Sequence, residues 1–130
     1  MSHLVPVFVY GTLRPGERLH HLLAADVEGW LPDVAVADHA LHFERSFGVY
    51  PVMVPAPGAT TRGDLLVVRD GWHLRRVVAM ETGSGYTAEV LPVLTGDRPV
   101  KALCFVYSGT PGRPVPGGDW RRRLGSHNRG

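Results

Sequence analysis

The chain has 130 residues, 44% of them hydrophobic and 20% charged, with a formal net charge of +2. Length and composition point to one globular domain able to bury a core. No apolar run approaches the roughly 18 residues that a membrane span needs, and the start lacks the features of a signal peptide, so a cytoplasmic location is the expectation.

In chain order, residues 5–10 read as the first strand. The run Val7-Phe8-Val9-Tyr10 passes straight into Gly11-Thr12-Leu13-Arg14-Pro15-Gly16. A strand ending on glycine can turn sharply, because glycine tolerates positive φ and lets backbone N–H groups approach a ligand. Such a turn suits a carboxylate or a developing oxyanion; a plain hairpin turn anchored by Tyr10 reads equally well. Residues 17–25 set Leu19, Leu22 and Leu23 on one helical face. Residues 33–43 alternate, with Val34, Val36 and Asp38 on one side and Ala35, Ala37, His39, Leu41 and Phe43 on the other, as in a strand or a bent strand pair. Residues 49–54 form another β-like run, interrupted by Pro51 and ended by Pro55-Ala56-Pro57-Gly58.

Residues 62–69 read as a central strand. Asp70 stands at an N-cap position ahead of a helix over 72–80, where Leu74, Val77 and Val78 share a face and Gly83 and Gly85 end it. Residues 86–94 and 100–107 are the closing strands. The expected fold class is α+β: a small mixed β-barrel-like sheet of about six strands with two short helices. The domain is expected over 1–112, with 113–130 as a basic Gly/Pro/Arg-rich tail.

That tail holds five arginines against one acid, a charge of +4, which leaves −2 on the rest. It suits an acidic partner or a simple solvated end. With no aromatic ladder or nucleic-acid motif in the body, the sequence points away from nucleic acid. The one cysteine, Cys104, lies in an apolar run and reads as a buried structural thiol. His20 and His21, like His39 and His42, lack zinc-ligand spacing, and His73 has no partner four residues on, so no metal is expected. There is no nucleophile elbow, P-loop or dinucleotide fingerprint.

One acid stands out on local grounds. Glu81 falls in the last turn of the predicted helix, where the negative end of the macrodipole disfavours a carboxylate and raises its pKa. The competing reading is a surface glutamate at a frayed end. Glu44, Asp64 and Glu89 have ordinary surface explanations.

Five segments, taken together, carry a resemblance. They are Tyr10-Gly11-Thr12-Leu13, Tyr50-Pro51-Val52-Met53-Val54-Pro55, Gly63-Asp64-Leu65-Leu66-Val67-Val68, the helix end from Val77 through Glu81 to Tyr86, and Leu103-Cys104-Phe105-Val106-Tyr107. In this order, over about residues 5–108, the chain resembles the gamma-glutamylcyclotransferase-like family, of the gamma-glutamylamine cyclotransferase type. The resemblance implies intramolecular aminolysis, in which the α-amine of a γ-glutamyl amide attacks its own γ-carbonyl, releasing 5-oxoproline and a free amine without metal or cofactor. It implies Glu81 as general acid and base, and Tyr10, Gly11, Thr12 and Leu13 as the substrate-binding wall. Tyr86 lines the same pocket or merely covers it, and Arg14 is a carboxylate clamp or an exposed turn residue.

Two departures stand against the family pattern. Val78 occupies the place of an aspartate three residues before the glutamate, and Thr87-Ala88-Glu89 replace an arginine after the tyrosine. A binding or regulatory protein with weakened turnover is therefore one alternative, and an interaction module using the Arg-rich tail is another. The expected partner is a small γ-glutamyl compound, with its selection assigned to residues 44–49 and 56–61. Oligomeric state stays open.

Overall fold

The computed structural model describes residues 3–123. Five strands form one mixed sheet: β1 (Leu4–Val9), β2 (Val27–Phe43), β3 (Pro51–Arg69), β4 (Tyr86–Val93) and β5 (Val100–Tyr107). Their spatial order is β2-β3-β1-β5-β4, with β1 and β5 parallel and the other neighbours antiparallel. The two outer strands also meet. Ala35 and Leu94 exchange backbone hydrogen bonds of 3.2 and 2.7 Å, which curls the sheet toward a barrel.

The centre of this sheet is the most apolar part of the chain. Val7, Phe8 and Val9 of β1 pack with Leu65, Leu66 and Val68 of β3 and with Ala102, Cys104 and Phe105 of β5. Burying each large apolar side chain contributes about 1.5–3 kcal/mol. Helix α2 (Trp72–Thr82) connects β3 to β4 and buries Leu74 and Val77. Helix α1 is only His21–Ala24. Residues 14–20 instead form tight turns tied to the loop after β1, including Leu19 N–H to the Thr12 carbonyl at 2.9 Å.

Three sequence expectations are corrected here. Among the described residues there are five strands and not six, because the Pro55–Gly58 segment does not end a strand: β3 runs through it. Ala37 faces Thr60 and His39 faces Pro55, so Asp38 alone stands opposite residues 56–59. Asp38 and Gly58 both take positive φ, 60° and 82°, and the Asp38 carboxylate accepts the Gly58 N–H at 2.9 Å. This bulge shifts the alternation by one residue. Val34, Val36 and, beyond the bulge, Leu41 are all buried, although simple alternation puts Leu41 opposite the two valines. Asp70 is not the cap of α2 either; Gly71 holds that place, without a side-chain hydrogen bond.

The third correction concerns the tail. Over residues 113–123 it is part of the domain: Phe43 N–H donates to the Arg113 carbonyl at 2.7 Å and Val115 N–H to that of Leu41 at 2.9 Å. Val115 and Trp120 are buried, the latter with its ring 5.5 Å from that of Phe43. The remainder of the predicted tail lies outside the described residues.

Candidate active site

The loop leaving β1 is built from its backbone outward. The carbonyls of Gly11, Thr12 and Leu13 all meet donors within the chain: Arg14 N–H at 3.0 Å, Leu19 N–H at 2.9 Å and a ring nitrogen of His20 at 2.9 Å. Tyr10 is buried, and its hydroxyl donates to the Phe105 carbonyl at 2.7 Å. Gly11 owes its identity to close approach and not to positive φ. A Cβ built there overlaps the Pro51 ring, whose Cδ would lie 2.9 Å away.

Glu81 comes from the last turn of α2. Behind it the Gly83 N–H caps the helix on the Ala79 and Glu81 carbonyls, and Gly85, at φ 95°, turns the chain into β4. Glu81 shares one cavity of about 220 Å³ with Tyr10, Gly11, Thr12 and Leu13. Thus the acid and the loop, 68 residues apart at Glu81 and Leu13, form walls of the same space. Burial pushes the Glu81 carboxyl up from its ordinary 4.5 to about 7, because a poorly solvated site disfavours the charged form.

Tyrosines complete the walls. Tyr86 opens β4, lines the cavity and donates its hydroxyl to the Pro51 carbonyl at 2.8 Å. Tyr50 lines it from the turn before β3. Burial raises the pKa of Tyr10, Tyr50 and Tyr86, and the negative charge of Glu81 adds to the rise in each. All three phenols are therefore neutral when Glu81 ionises.

The residues named from sequence alone meet at this cavity, while others are missed or misread. Tyr50, Arg18, Met80, Ser84 and Phe105 also line it; the signal for Met80 and Ser84 is that they stand one and three residues from Glu81 in the sequence. Arg14 is neither a clamp in the cavity nor exposed. Its buried guanidinium pairs with Asp64 at 3.0 Å and Asp119 at 2.8 Å. Asp64, read as a surface acid, is fully buried; it also accepts the Trp30 indole N–H and the Asp33 N–H, each at 3.2 Å. Glu44 is buried too, accepting Phe47 and Ser46 N–H at 2.8 and 2.9 Å, and these amides hold its carboxyl below the usual range. Glu89 is exposed. Cys104 is fully buried, and burial pushes its thiol up to about 12.

The sequence pattern of the "Gamma-glutamyl cyclotransferase, AIG2-like" family matches residues 7–122. The chain belongs to this family. Among solved structures, an uncharacterized protein from Pyrococcus horikoshii, PH0828, is 28% identical, with a TM-score of 0.74 over 95% of this chain and 97% of that one. An AIG2-like protein from Mus musculus is 18% identical, with a TM-score of 0.62 over 82% and 78% of the two chains. A structure titled gamma-glutamyl cyclotransferase is 16% identical, with a TM-score of 0.70 over 88% and 73%. The last two likenesses bear on the fold alone. Comparison with the curated proteins finds no match. The family match extends to Arg122 and so takes in the segment that the sequence set apart as a tail.

Proposed function

We propose that this family member is a γ-glutamyl cyclotransferase, which releases 5-oxoproline and a free amine from a γ-glutamyl amide. The observation that carries the reading is a carboxyl with a pKa of about 7 in the same cavity as the Tyr10–Leu13 loop. In this reading the glutamyl head lies curled in that cavity. Glu81 takes a proton from the substrate's α-ammonium, and the freed nitrogen forms a bond to the γ-carbonyl carbon.

Negative charge then develops on the carbonyl oxygen. The carbonyls of Gly11, Thr12 and Leu13 are already engaged, so the N–H groups are what this loop offers to an oxyanion or carboxylate. Protonated Glu81 next supplies the departing nitrogen, and the amide C–N bond breaks. Overall, two protons pass from the attacking nitrogen to the departing one, and no covalent adduct with the protein forms. A pKa near the working pH suits a group that must both take and give a proton. Holding the chain curled lowers the barrier further, since correct near-attack geometry is worth several kcal/mol.

The test is a panel of γ-glutamyl amides screened for 5-oxoproline. Wild-type protein is expected to release it, with kcat/KM rising as pH passes through about 7, where Glu81 ionises. Glu81→Gln keeps the shape without the base and is expected to lose at least about 10²-fold in kcat. Undiminished turnover by Glu81→Gln sinks the assignment of that residue. Binding of the amides with no product formed favours the non-catalytic alternative.

A further inference from the structure

One residue of β3 holds both ends of the Tyr10–Leu13 loop. At the entrance Val9 pairs with Asp64 in the β1–β3 register. At the exit Arg14 sends its guanidinium to the Asp64 carboxylate at 3.0 Å. Asp64 thus closes the loop as a clasp, its backbone at one end and its side chain at the other. Gly63 permits the close approach: a Cβ there would strike the Val9 carbonyl and lie 2.8 Å from the Phe8 ring.

The clasp is charged and shut away from water. Arg14 is 1% exposed and Asp64 0%. Asp119 sets a second carboxylate on Arg14 at 2.8 Å, and Arg121 a second cation 3.6 Å from Asp64, so two cations meet two acids. Such a buried group is a weak source of stability, because lost hydration offsets the attraction. The offset is also incomplete, since the Arg14 Nε has no hydrogen-bond partner among the described residues. What a guanidinium between two carboxylates does supply is direction. Its planar fork fixes the main chain at residue 14, and the Arg14 N–H donates across the loop to the Gly11 carbonyl at 3.0 Å.

We infer that Arg14 is a positioning residue for the reaction: anchored by Asp64 and Asp119, it aims the N–H groups of the loop at the place where the oxyanion forms. The inference rests on the cyclotransferase reading above. Arg14 does not line the cavity, so it acts through the loop alone. Donors aimed before charge develops need no reorganisation at the moment of reaction. A loop free to shift loses that stabilisation in the transition state and not in the ground state, so the loss falls on kcat and spares KM.

Arg14→Met, Arg14→Lys and Gly58→Ala are compared on the γ-glutamyl amide that wild-type protein turns over fastest, at a temperature where melting curves show each variant folded. Arg14→Met keeps an unbranched chain without the charge; its kcat is expected to fall about tenfold or more, with KM within about twofold. Arg14→Lys retains a cation and is expected to regain part of the loss. Gly58→Ala, destabilised at the bulge outside the cavity, is expected to keep its kcat, which separates aim from stability. The rise of kcat/KM through about pH 7 is expected to persist throughout, because Glu81 is not in the clasp. Folded Arg14→Met with wild-type kcat, a change confined to KM, or an equal kcat loss in Gly58→Ala overturns the inference and leaves the cyclotransferase reading intact. Should Arg14→Met not fold, Asp119→Asn, which keeps the Arg14–Asp64 pair, replaces it: a kcat lowered about threefold or more upholds the inference, and an unchanged kcat overturns it. If wild-type protein releases no 5-oxoproline, the cyclotransferase reading fails. Nitrogen-15 order parameters of Gly11, Thr12 and Leu13 then decide the clasp: values lowered in the variant uphold it, and unchanged values overturn it.

Discussion

Glu81 changes proton affinity on folding, and that links the site to stability. Its carboxyl holds a proton up to about pH 7 in the folded chain and only to about 4.5 in its ordinary state. A raised carboxyl pKa means that the folded state binds the proton more tightly than the unfolded one. This contribution is fully present below pH 4.5 and is lost as pH rises through about 7. Glu81→Gln, which never ionises, is therefore expected to be more stable than wild type at pH 8, by on the order of 2–3 kcal/mol, and to lose that advantage by pH 4. Paired thermal melts at the two pH values check the sign. Gly11→Ala belongs to the same scale, since its methyl would strike the Pro51 ring. Ring and loop must part to admit it, which is expected to cost about 1–3 kcal/mol and to impair turnover, as read by melting and by 5-oxoproline release.

The β2–β3 hairpin is long because a bulge, and not a turn, absorbs the Pro55–Gly58 sequence. Gly58 sits there at φ 82° with open space around a hypothetical Cβ, so a substitution meets backbone strain alone. Gly58→Ala is expected to lower stability by about 1 kcal/mol. Its kcat is expected to stay within about twofold of wild type, because the bulge does not line the Glu81 cavity. A chemical-denaturation curve read beside a progress curve separates the two effects. Helix α2 serves differently. Its N-terminal half anchors Leu74 and Val77 in the core, so its last turn holds Glu81 on a fixed support.

At the scale of the whole molecule, the closing segment grips the loop that shapes the cavity. Asp119 pairs with Arg14 at 2.8 Å, Arg121 donates to the Pro15 carbonyl at 2.6 Å, and Arg123 lies 3.5 Å from Glu17. Trp120 fills the space against Phe43 and, with Val115, extends the core. Trp120→Ala is expected to cost about 3–5 kcal/mol, and a chain ending at residue 112 to melt far below wild type. Asp119→Ala leaves the buried Arg14 with Asp64 and without its second carboxylate. A loss of about 2–3 kcal/mol is expected, measured by chemical denaturation. Wild-type stability in these three variants contradicts a structural role for the segment.

The first strand, its glycine turn, the helix over 72–80 and the two closing strands were legible because each is a local pattern, set by periodicity, β-branching and glycine. Glu81 and the Tyr10–Leu13 loop could be singled out for the same reason, helped by motifs that occur in a fixed order along the chain. Burial was not legible. Arg14 and Asp64 read as surface charges because their neutralising partners lie 50 residues apart in sequence and meet only across the folded sheet. The strand count failed where a proline-rich segment, a terminator by local rules, was held in register by a partner strand and one aspartate. The basic tail looked detachable because arginine counts say nothing of Trp120's burial. Local sequence determined which segments form and which groups could do chemistry; the tertiary structure alone decided which groups lose their water, and hence the protonation of Glu81.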